Sequence, residues 1–132
     1  MACVMVVDDN KDACEALAKL IQLLKHDSFC VTSGEAALDF LTGHCADLVI
    51  LDMMMPGLDG MEVLRRIREE LKLTALPVVM FSAIADPAFQ EHAIRKGAND
   101  YWVKASIDFA KLGQLVAKWI SNLPPGSNCA VQ

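Results

Sequence analysis

Polar side chains follow directly after four short apolar runs of this 132-residue chain: Asp8 and Asp9, Asp52, Ser82, and Lys104. Three carboxylates within a few ångströms of one another repel, and each raises the pKa of its neighbours. A hard divalent cation such as Mg²⁺ relieves this repulsion, because it takes oxygen ligands. A carboxylate beside the cation can then attack a phosphoryl group and become an aspartyl phosphate. The Lys104 ammonium and the Ser82 hydroxyl would stabilise the charge on the phosphoryl oxygens.

Each of these residues alone has a simpler structural interpretation. Asp8, Asp9 or Asn10 could cap a helix, and Asp52 could end a strand before a loop. Ser82 could be a turn hydroxyl, and Lys104 a solvated charge. Helix capping gives no reason for all of them to follow apolar runs in the same way. Their joint occurrence therefore favours one shared site.

Short apolar runs alternate with segments of helical periodicity along the chain. The apolar runs predict strands at residues 2–7, 29–31, 47–51, 77–81 and 101–103. Helix starts are indicated by a capping box at 32–35, by 59–62 and by Asp86-Pro87, and Gly97 is expected to end the fourth helix. Helical spacing predicts the first and fifth helices, from Ala13, Leu17, Leu20, Ile21 and Leu24, and from Phe109, Leu112, Val116, Trp119 and Leu123.

This (βα)5 pattern predicts an α/β fold, a doubly wound flavodoxin-like three-layer sandwich. Its parallel five-stranded sheet is expected to have the order 2-1-3-4-5. Strands one and three then flank the switch point, where Asp8, Asp9 and Asp52 would converge. We expect residues 1–123 to form the domain and residues 124–132 to form a flexible C-terminal tail.

Composition excludes several classes of protein. Hydrophobic residues make up 54% of the chain and charged residues 22%, which is typical of a globular domain. The formal charge of −5 makes direct nucleic-acid binding a poor hypothesis. An odd number of cysteines, five, without a CxxC pair argues against a disulfide framework and favours the cytoplasm. We expect neither a signal peptide nor a membrane helix.

Four motifs resemble the receiver domain of two-component response regulators, similar to the bacterial chemotaxis regulator. They are Val-Val-Asp-Asp-Asn (6–10), Leu-Val-Ile-Leu-Asp-Met-Met-Met-Pro-Gly-Leu-Asp-Gly (48–60), Phe-Ser-Ala (81–83) and Gly-Ala-Asn-Asp-Tyr-Trp-Val-Lys (97–104). The resemblance covers about residues 2–123. The second motif is highly specific, and the others gain weight from their order and spacing.

The resemblance implies roles for the acidic residues. Asp52 matches the phosphoacceptor, Asp9 a direct Mg²⁺ ligand, and Asp8 an acidic neighbour that binds the metal mostly through water. The backbone carbonyl of Met54 matches the third protein ligand. Met54 and Ile84 lie two residues past Asp52 and Ser82, near the path of the hydrolytic water in this family. Because neither side chain can orient a water, we predict slow self-dephosphorylation.

Three further residues match the family's switching machinery. Ser82 matches the hydroxyl that swings toward the phosphoryl group, Lys104 its ion-pair partner, and Tyr101 the aromatic switch residue. The chain departs from the family after the lysine, where Ala105 stands in place of the usual proline. A cis bond before alanine costs about 2.5–4 kcal/mol, so this bond is expected to be trans.

The resemblance also implies partners. The phosphoryl donor would be a sensor histidine kinase, a phosphotransfer protein or a small acyl phosphate, and the domain would assist its own phosphorylation and dephosphorylation. The fourth helix, fifth strand and fifth helix would contact an unidentified downstream protein, with Phe89, Trp102 and Ile107 partly exposed. A homodimer on phosphorylation is possible. The chain would act alone or as the N-terminal receiver of a longer regulator.

Three alternatives stay open. One is a degenerate receiver that acts as a phosphorylation-independent interaction module, for which Ala105 is the sequence support. A flavin-binding electron carrier would share the topology, but the acidic loop after the first strand would repel its phosphate. An aspartate-nucleophile phosphatase needs a second carboxylate two residues after the nucleophile, where this chain has Met54.

Overall fold

The predicted apolar runs form one parallel sheet in the computed structural model, which describes residues 2–121. In chain order the elements are β1 (Cys3–Val7), α1 (Lys11–Leu23), β2 (Asp27–Val31), α2 (Gly34–Gly43), β3 (Leu48–Asp52), α3 (Gly60–Glu69), β4 (Val78–Ser82), α4 (Pro87–Arg95), β5 (Asp100–Val103), a 3-10 turn (Lys104–Ser106) and α5 (Phe109–Ser121). The predicted tail at 124–132 and Leu123 lie outside the described residues.

The strands of the described chain are ordered β2-β1-β3-β4-β5, so the predicted flavodoxin-like topology is confirmed. The pairing is parallel throughout, with Val7 opposite Leu51 and Asp52 opposite Phe81. This register brings the carboxyl ends of β1, β3 and β4 to one edge of the sheet. The polar residues that follow these strands therefore share that edge.

Helices cover both faces of the sheet, and successive strand residues point alternately to one face and the other. Val4 and Val6 of β1 pack against the apolar sides of α1 and α5, among them Ile21 and Val116. Met5 and its neighbours on the other face pack against α2, α3 and α4. This arrangement explains why the strands are nearly continuous apolar runs. Within the described residues, no helix has the length and apolar character needed to cross a membrane.

The helices begin at polar caps, with one correction to the sequence prediction. Asn10, Asp59 and Asp86 each accept a backbone N–H bond at the start of α1, α3 and α4. The predicted capping box at 32–35 is wrong by one residue. The backbone is still extended at Ser33, which caps α2 by accepting from Ala36 N at 3.1 Å. Glu35 is then the second residue of the helix, whereas a capping box needs a glutamate at the third.

The link between β5 and α5 was not predicted as an ordered element. It is a single 3-10 turn that begins at Lys104, and all peptide bonds of the described residues are trans. The expectation of a trans bond before Ala105 is therefore confirmed. At the other end of β5, Gly97 ends α4 as predicted, with a positive φ of 115° that favours glycine.

One arginine joins three segments at the edge of the sheet where the strands begin, opposite the acidic edge. The Arg68 guanidinium of α3 donates to the carbonyls of Gly97, Leu73 and Leu76, and to the side chain of Asn99 at 2.8 Å. Asn99 in turn accepts from Val78 N at 2.9 Å. Arg68 thus fixes the starts of β4 and β5 to the end of α3.

We expect Arg68→Ala to lower the free energy of unfolding by about 2–4 kcal/mol, because several carbonyls in a partly buried region lose their donor. Urea unfolding followed by circular dichroism measures this. Arg66→Ala is the matched control, because Arg66 lies on the same helix and makes a surface ion pair with Glu62 at 2.9 Å. Such a pair contributes about 1 kcal/mol or less. Equal losses for the two variants would contradict the role assigned to Arg68.

Candidate functional site

The carboxylate of Asp8 stands at the carboxyl end of β1. Its backbone N–H donates to Val31 O at 3.1 Å, and its Oδ1 accepts from Asn10 N at 3.0 Å. Asp8 is buried, whereas Asp9 is exposed. Because Asn10 caps α1, neither aspartate serves as the cap. Of the three candidate caps, Asn10 is therefore confirmed, and capping of α1 does not account for Asp8 or Asp9.

Asp52 ends β3 and is only 7% exposed. Its Oδ1 accepts weakly from Met54 N, at 3.4 Å. The following loop returns to the strand end, where Gly60 N donates to Met53 O at 3.0 Å. A side chain at Gly60 would collide with the Asp52 carbonyl, and its Cβ would lie 2.7 Å from Met53 Cα. Gly60 therefore lets α3 begin directly against the strand that carries Asp52.

Lys104 reaches the acidic residues from the first position of the 3-10 turn that follows β5. Its Nζ lies 3.4 Å from Asp8 Oδ2 and 3.7 Å from Asp52 Oδ1, and 5.5 Å from the centre of the Phe81 ring. The Phe81 ring supports the ammonium from one side through a cation–π contact. Replacement of the family's proline by Ala105 thus leaves the lysine in position beside both carboxylates.

The three acidic side chains form one cluster. Single ligand oxygens of Asp8, Asp9 and Asp52 all lie within 4.8 Å of one another. Hard oxygen donors at this separation fit a divalent cation such as Mg²⁺, which needs few protein ligands because it keeps several waters. The predicted contribution of the Met54 carbonyl stays a prediction.

Burial makes the Asp52 carboxylate a high-energy group when no cation is bound. Burial raises the pKa of Asp52 to about 6, the Lys104 ammonium opposes that rise, and the nearby Asp8 adds to it. A cation in the cluster would favour the charged form of Asp52 again. Burial of the Asp52 carboxylate therefore favours the binding of a positive charge beside it.

Ser82 and Tyr101 meet at the backbone of one residue. Ser82 is fully buried, and its Oγ accepts from Ile84 N at 3.1 Å. The Tyr101 hydroxyl donates to Ile84 O at 2.8 Å, with the ring turned into the core. Sequence reasoning missed Ile84 as this common partner. Its apolar side chain gives no signal, because only backbone atoms take part.

The residues of the methionine run differ from one another in solvent exposure, and so do those of the predicted contact face. Met53 and Met55 are buried, whereas Met54 is 63% exposed and lies above the strand end. Phe89 is exposed at the surface of α4, as predicted. The expectation that Trp102 is partly exposed is wrong. It packs under α5, where its indole N–H donates to Asp100 Oδ2 at 3.0 Å.

Comparison with known proteins identifies a family for this chain. A family model for the response regulator receiver domain matches residues 4–117. "Probable transcriptional regulator ycf27" of Cyanidium caldarium is 36% identical over 100 residues, which are 76% of this chain and 39% of that protein. This chain therefore spans well under half the length of that curated relative.

Solved structures of receiver domains have the same fold as this chain. The receiver domain of NtrX from Brucella abortus is 27% identical with a TM-score of 0.80, covering 90% of this chain and 98% of that one. A response regulator receiver domain protein from Clostridium thermocellum is 25% identical with a TM-score of 0.82, covering 92% and 95%. The receiver domain of a histidine kinase from Syntrophus aciditrophicus has the same fold, with a TM-score of 0.84 at 24% identity over 96% of each chain.

The chain belongs to the response regulator receiver domain family. It is a receiver domain of a two-component response regulator, a signalling domain of a kind that is generally not an enzyme. Membership of this family implies interaction with a histidine kinase or another phosphodonor.

The raised pKa of Asp52 predicts a pH-dependent stability when Mg²⁺ is removed by a chelator. The folded protein holds the Asp52 proton more tightly than the unfolded chain, whose aspartates titrate near about 4. Stability is therefore lost as the pH rises from about 4 to about 6. We expect Asp52→Asn to be more stable than the wild type by about 2–3 kcal/mol near pH 7.5 and no more stable near pH 3.5.

Urea unfolding at a series of pH values measures this difference. Asp12→Asn is the control, since Asp12 is an exposed carboxylate of α1, and it should change stability by about 0.5 kcal/mol or less. A difference between Asp52→Asn and wild type that is constant from low to neutral pH would contradict the assignment.

Proposed function

We propose that this receiver takes a phosphoryl group on Asp52, in a Mg²⁺-dependent reaction, from the phosphohistidine of a sensor histidine kinase or a phosphotransfer protein. The convergence of Asp8, Asp9 and Asp52 with the Lys104 ammonium at one sheet edge carries this proposal. The domain assists its own phosphorylation and dephosphorylation, because it positions the attacking and charge-stabilising groups.

The transfer step is a displacement at phosphorus. An Asp52 carboxylate oxygen forms the new O–P bond, the P–N bond to the donor imidazole breaks, and the imidazole keeps the electron pair and takes up a proton. Asp8, Asp9 and Asp52, with the Met54 carbonyl, would hold Mg²⁺, which supplies positive charge beside the phosphoryl oxygens. Lys104 already lies beside Asp52 and follows the negative charge onto the new phosphoryl group.

The switch begins at Ser82. To bond a phosphoryl oxygen, its hydroxyl turns away from Ile84 N, which is its present partner. The peptide of residue 84 is also held through its carbonyl by Tyr101. A shift of that peptide therefore reaches both the aromatic switch residue and the loop that leads into α4.

The surface that changes is proposed to be the one formed by α4, β5 and α5. It presents Phe89, 44% exposed, and Phe109, 48% exposed, as apolar contacts for a downstream protein or an attached output region. A phosphorylation-dependent homodimer through the same surface is a further part of the proposal. We also propose the cytoplasm as the compartment, in agreement with the odd number of cysteines.

Intact-mass measurement after incubation with acetyl phosphate and Mg²⁺ tests the phosphoacceptor. We expect one added phosphoryl group, absent in chelator and absent in Asp52→Asn. Lys104→Ala should slow its formation by about 10- to 100-fold. Lys111→Ala, an exposed lysine of α5, should leave the rate unchanged. No adduct from acetyl phosphate or from a phosphorylated donor, with Mg²⁺ still bound, would establish the alternative of a phosphorylation-independent interaction module.

The apolar side chains at 54 and 84 predict a long-lived phosphoryl group. Because Met54 is exposed above the strand end, an amide at this position could orient a hydrolytic water. We expect Met54→Asn to shorten the half-life of the phosphorylated protein by about 3- to 10-fold, while the apolar control Met54→Leu leaves it unchanged. Loss of the phosphoryl group from pre-labelled protein measures both. An unchanged or longer half-life in Met54→Asn counts against the proposal.

A further inference from the structure

Two cysteine thiols lie together on the sheet face covered by α1. Cys14, one turn into α1, is fully buried. Its Sγ lies 3.4 Å from the carbonyl oxygen of Val6 and 3.7 Å from that of Val31, so the thiol sits over the gap between β1 and β2.

Cys30 comes from β2, directly opposite Val6 of β1 in the sheet register. Its side chain packs into the same apolar cluster as Val6 and Cys14. Burial, and after it the neighbouring Cys30 thiol, raises the pKa of Cys14 to about 12. The Cys14 Sγ lies against the carbonyl of Val6, which is opposite Cys30 in the sheet, and against that of Val31, the residue after Cys30. The two thiols are therefore neighbours on this face of the sheet.

The two thiols differ in access to solvent. β2 is an edge strand, and Cys30 is half-buried there. It lines a groove of about 250 Å³ between β2 and α1, with Glu15 and Lys19 on the helix side. A small oxidant can therefore reach Cys30 from the groove, whereas Cys14 is accessible only to a group already at Cys30.

We propose that Cys14 and Cys30 are an oxidisable thiol pair, a modification site for peroxides that closes to a disulfide between α1 and β2. Cys30 is the attacking thiol. The Cys30 thiol gives up its proton, and the thiolate sulfur attacks one peroxide oxygen as the O–O bond breaks, which gives Cys30 sulfenic acid and hydroxide. The hydroxide takes up the released proton to form water (an organic peroxide gives an alcohol in the same way). The peroxide is reduced by two electrons and the sulfur is oxidised.

Cys14 then resolves the sulfenic acid. Its sulfur attacks the Cys30 sulfur, the S–O bond breaks, and the departing hydroxide combines with the Cys14 proton to form a second water. The protein loses two hydrogen atoms in total.

The disulfide has a defined mechanical effect. It joins the first turn of α1 to the edge strand and closes a loop from residue 14 to residue 30 in the unfolded chain. The oxidised protein should therefore have a higher thermal midpoint than the reduced protein. The modification does not depend on the proposed phosphorylation of Asp52, so either can fail without the other.

Treatment of the reduced full-length chain with hydrogen peroxide, followed by mass spectrometry, tests the pair. Cleavage after lysine, arginine and glutamate places Cys14 in residues 12–15 and Cys30 in residues 26–35, apart from Cys45. We expect these two peptides to be cross-linked, the intact mass to fall by two hydrogens, and a reductant to reverse both. The thermal midpoint should rise on oxidation.

Two variants complete the test. Cys30→Ser should abolish the mass loss and the thermal shift, and Cys45→Ser, another half-buried cysteine, should retain both. The thermal midpoint of each reduced variant shows that it is folded. Peroxide that leaves Cys14 as a free thiol, either with Cys30 unchanged or with Cys30 oxidised to sulfenic or sulfinic acid, would overturn the proposal. So would a cross-link from Cys30 to any cysteine other than Cys14.

Discussion

Repulsion among three carboxylates at the carboxyl edge of the sheet is the constraint on which the rest of this structure depends. Asp8 and Asp52 are both buried, and their oxygens lie within 4.8 Å of each other and of Asp9. A cluster of this kind is unfavourable in a folded protein unless positive charge and N–H donors surround it. Lys104 and the backbone N–H groups of Asn10 and Met54 supply part of that compensation. In the proposed function, a divalent cation supplies the remainder.

The aliphatic core makes such a cluster tolerable. Strand residues pack on both faces of the sheet, so the strand ends that carry the carboxylates have little freedom to move apart. Gly60 adds to this rigidity because it allows α3 to start against the backbone of Asp52 and Met53. The free energy of apolar burial therefore maintains an arrangement that the charges alone would disperse. In the proposed function, a site held in this way is organised before a cation and a phosphoryl group bind.

Helix α4 differs from its neighbours in how it is held. Among its residues only Ala93 is buried, whereas Phe89 and Ile94 are exposed. Its C-terminal end is fixed, because Arg68 binds the carbonyl of Gly97. Its N-terminal end follows the loop through Ile84, whose backbone contacts both Ser82 and Tyr101. In the proposed switch, a local change at Ser82 therefore acts on the less constrained end of the helix.

The apolar strands, the helix caps and the acidic residues at the strand ends could all be predicted from the order of residue types. Short continuous apolar runs suit only a sheet covered on both faces, and right-handed crossovers leave few topologies for five of them. The same reasoning predicted that Asp8, Asp9 and Asp52 lie at one edge of the sheet. It also explains why local capping was predictable to within a residue, since a cap depends on neighbours along the chain.

Tertiary structure alone decided the contacts between residues distant in sequence. Only the folded chain shows that Lys104 lies beside Asp8 and Asp52 despite Ala105, that Trp102 is buried under α5, and that the backbone of Ile84 links Ser82 to Tyr101. The placement of Cys14 and Cys30 on the same face of the sheet belongs to the same group. Sequence pattern fixes which face of a strand or helix a residue occupies. Which side chains meet depends on strand register and helix placement, and these are set by packing summed over the whole core.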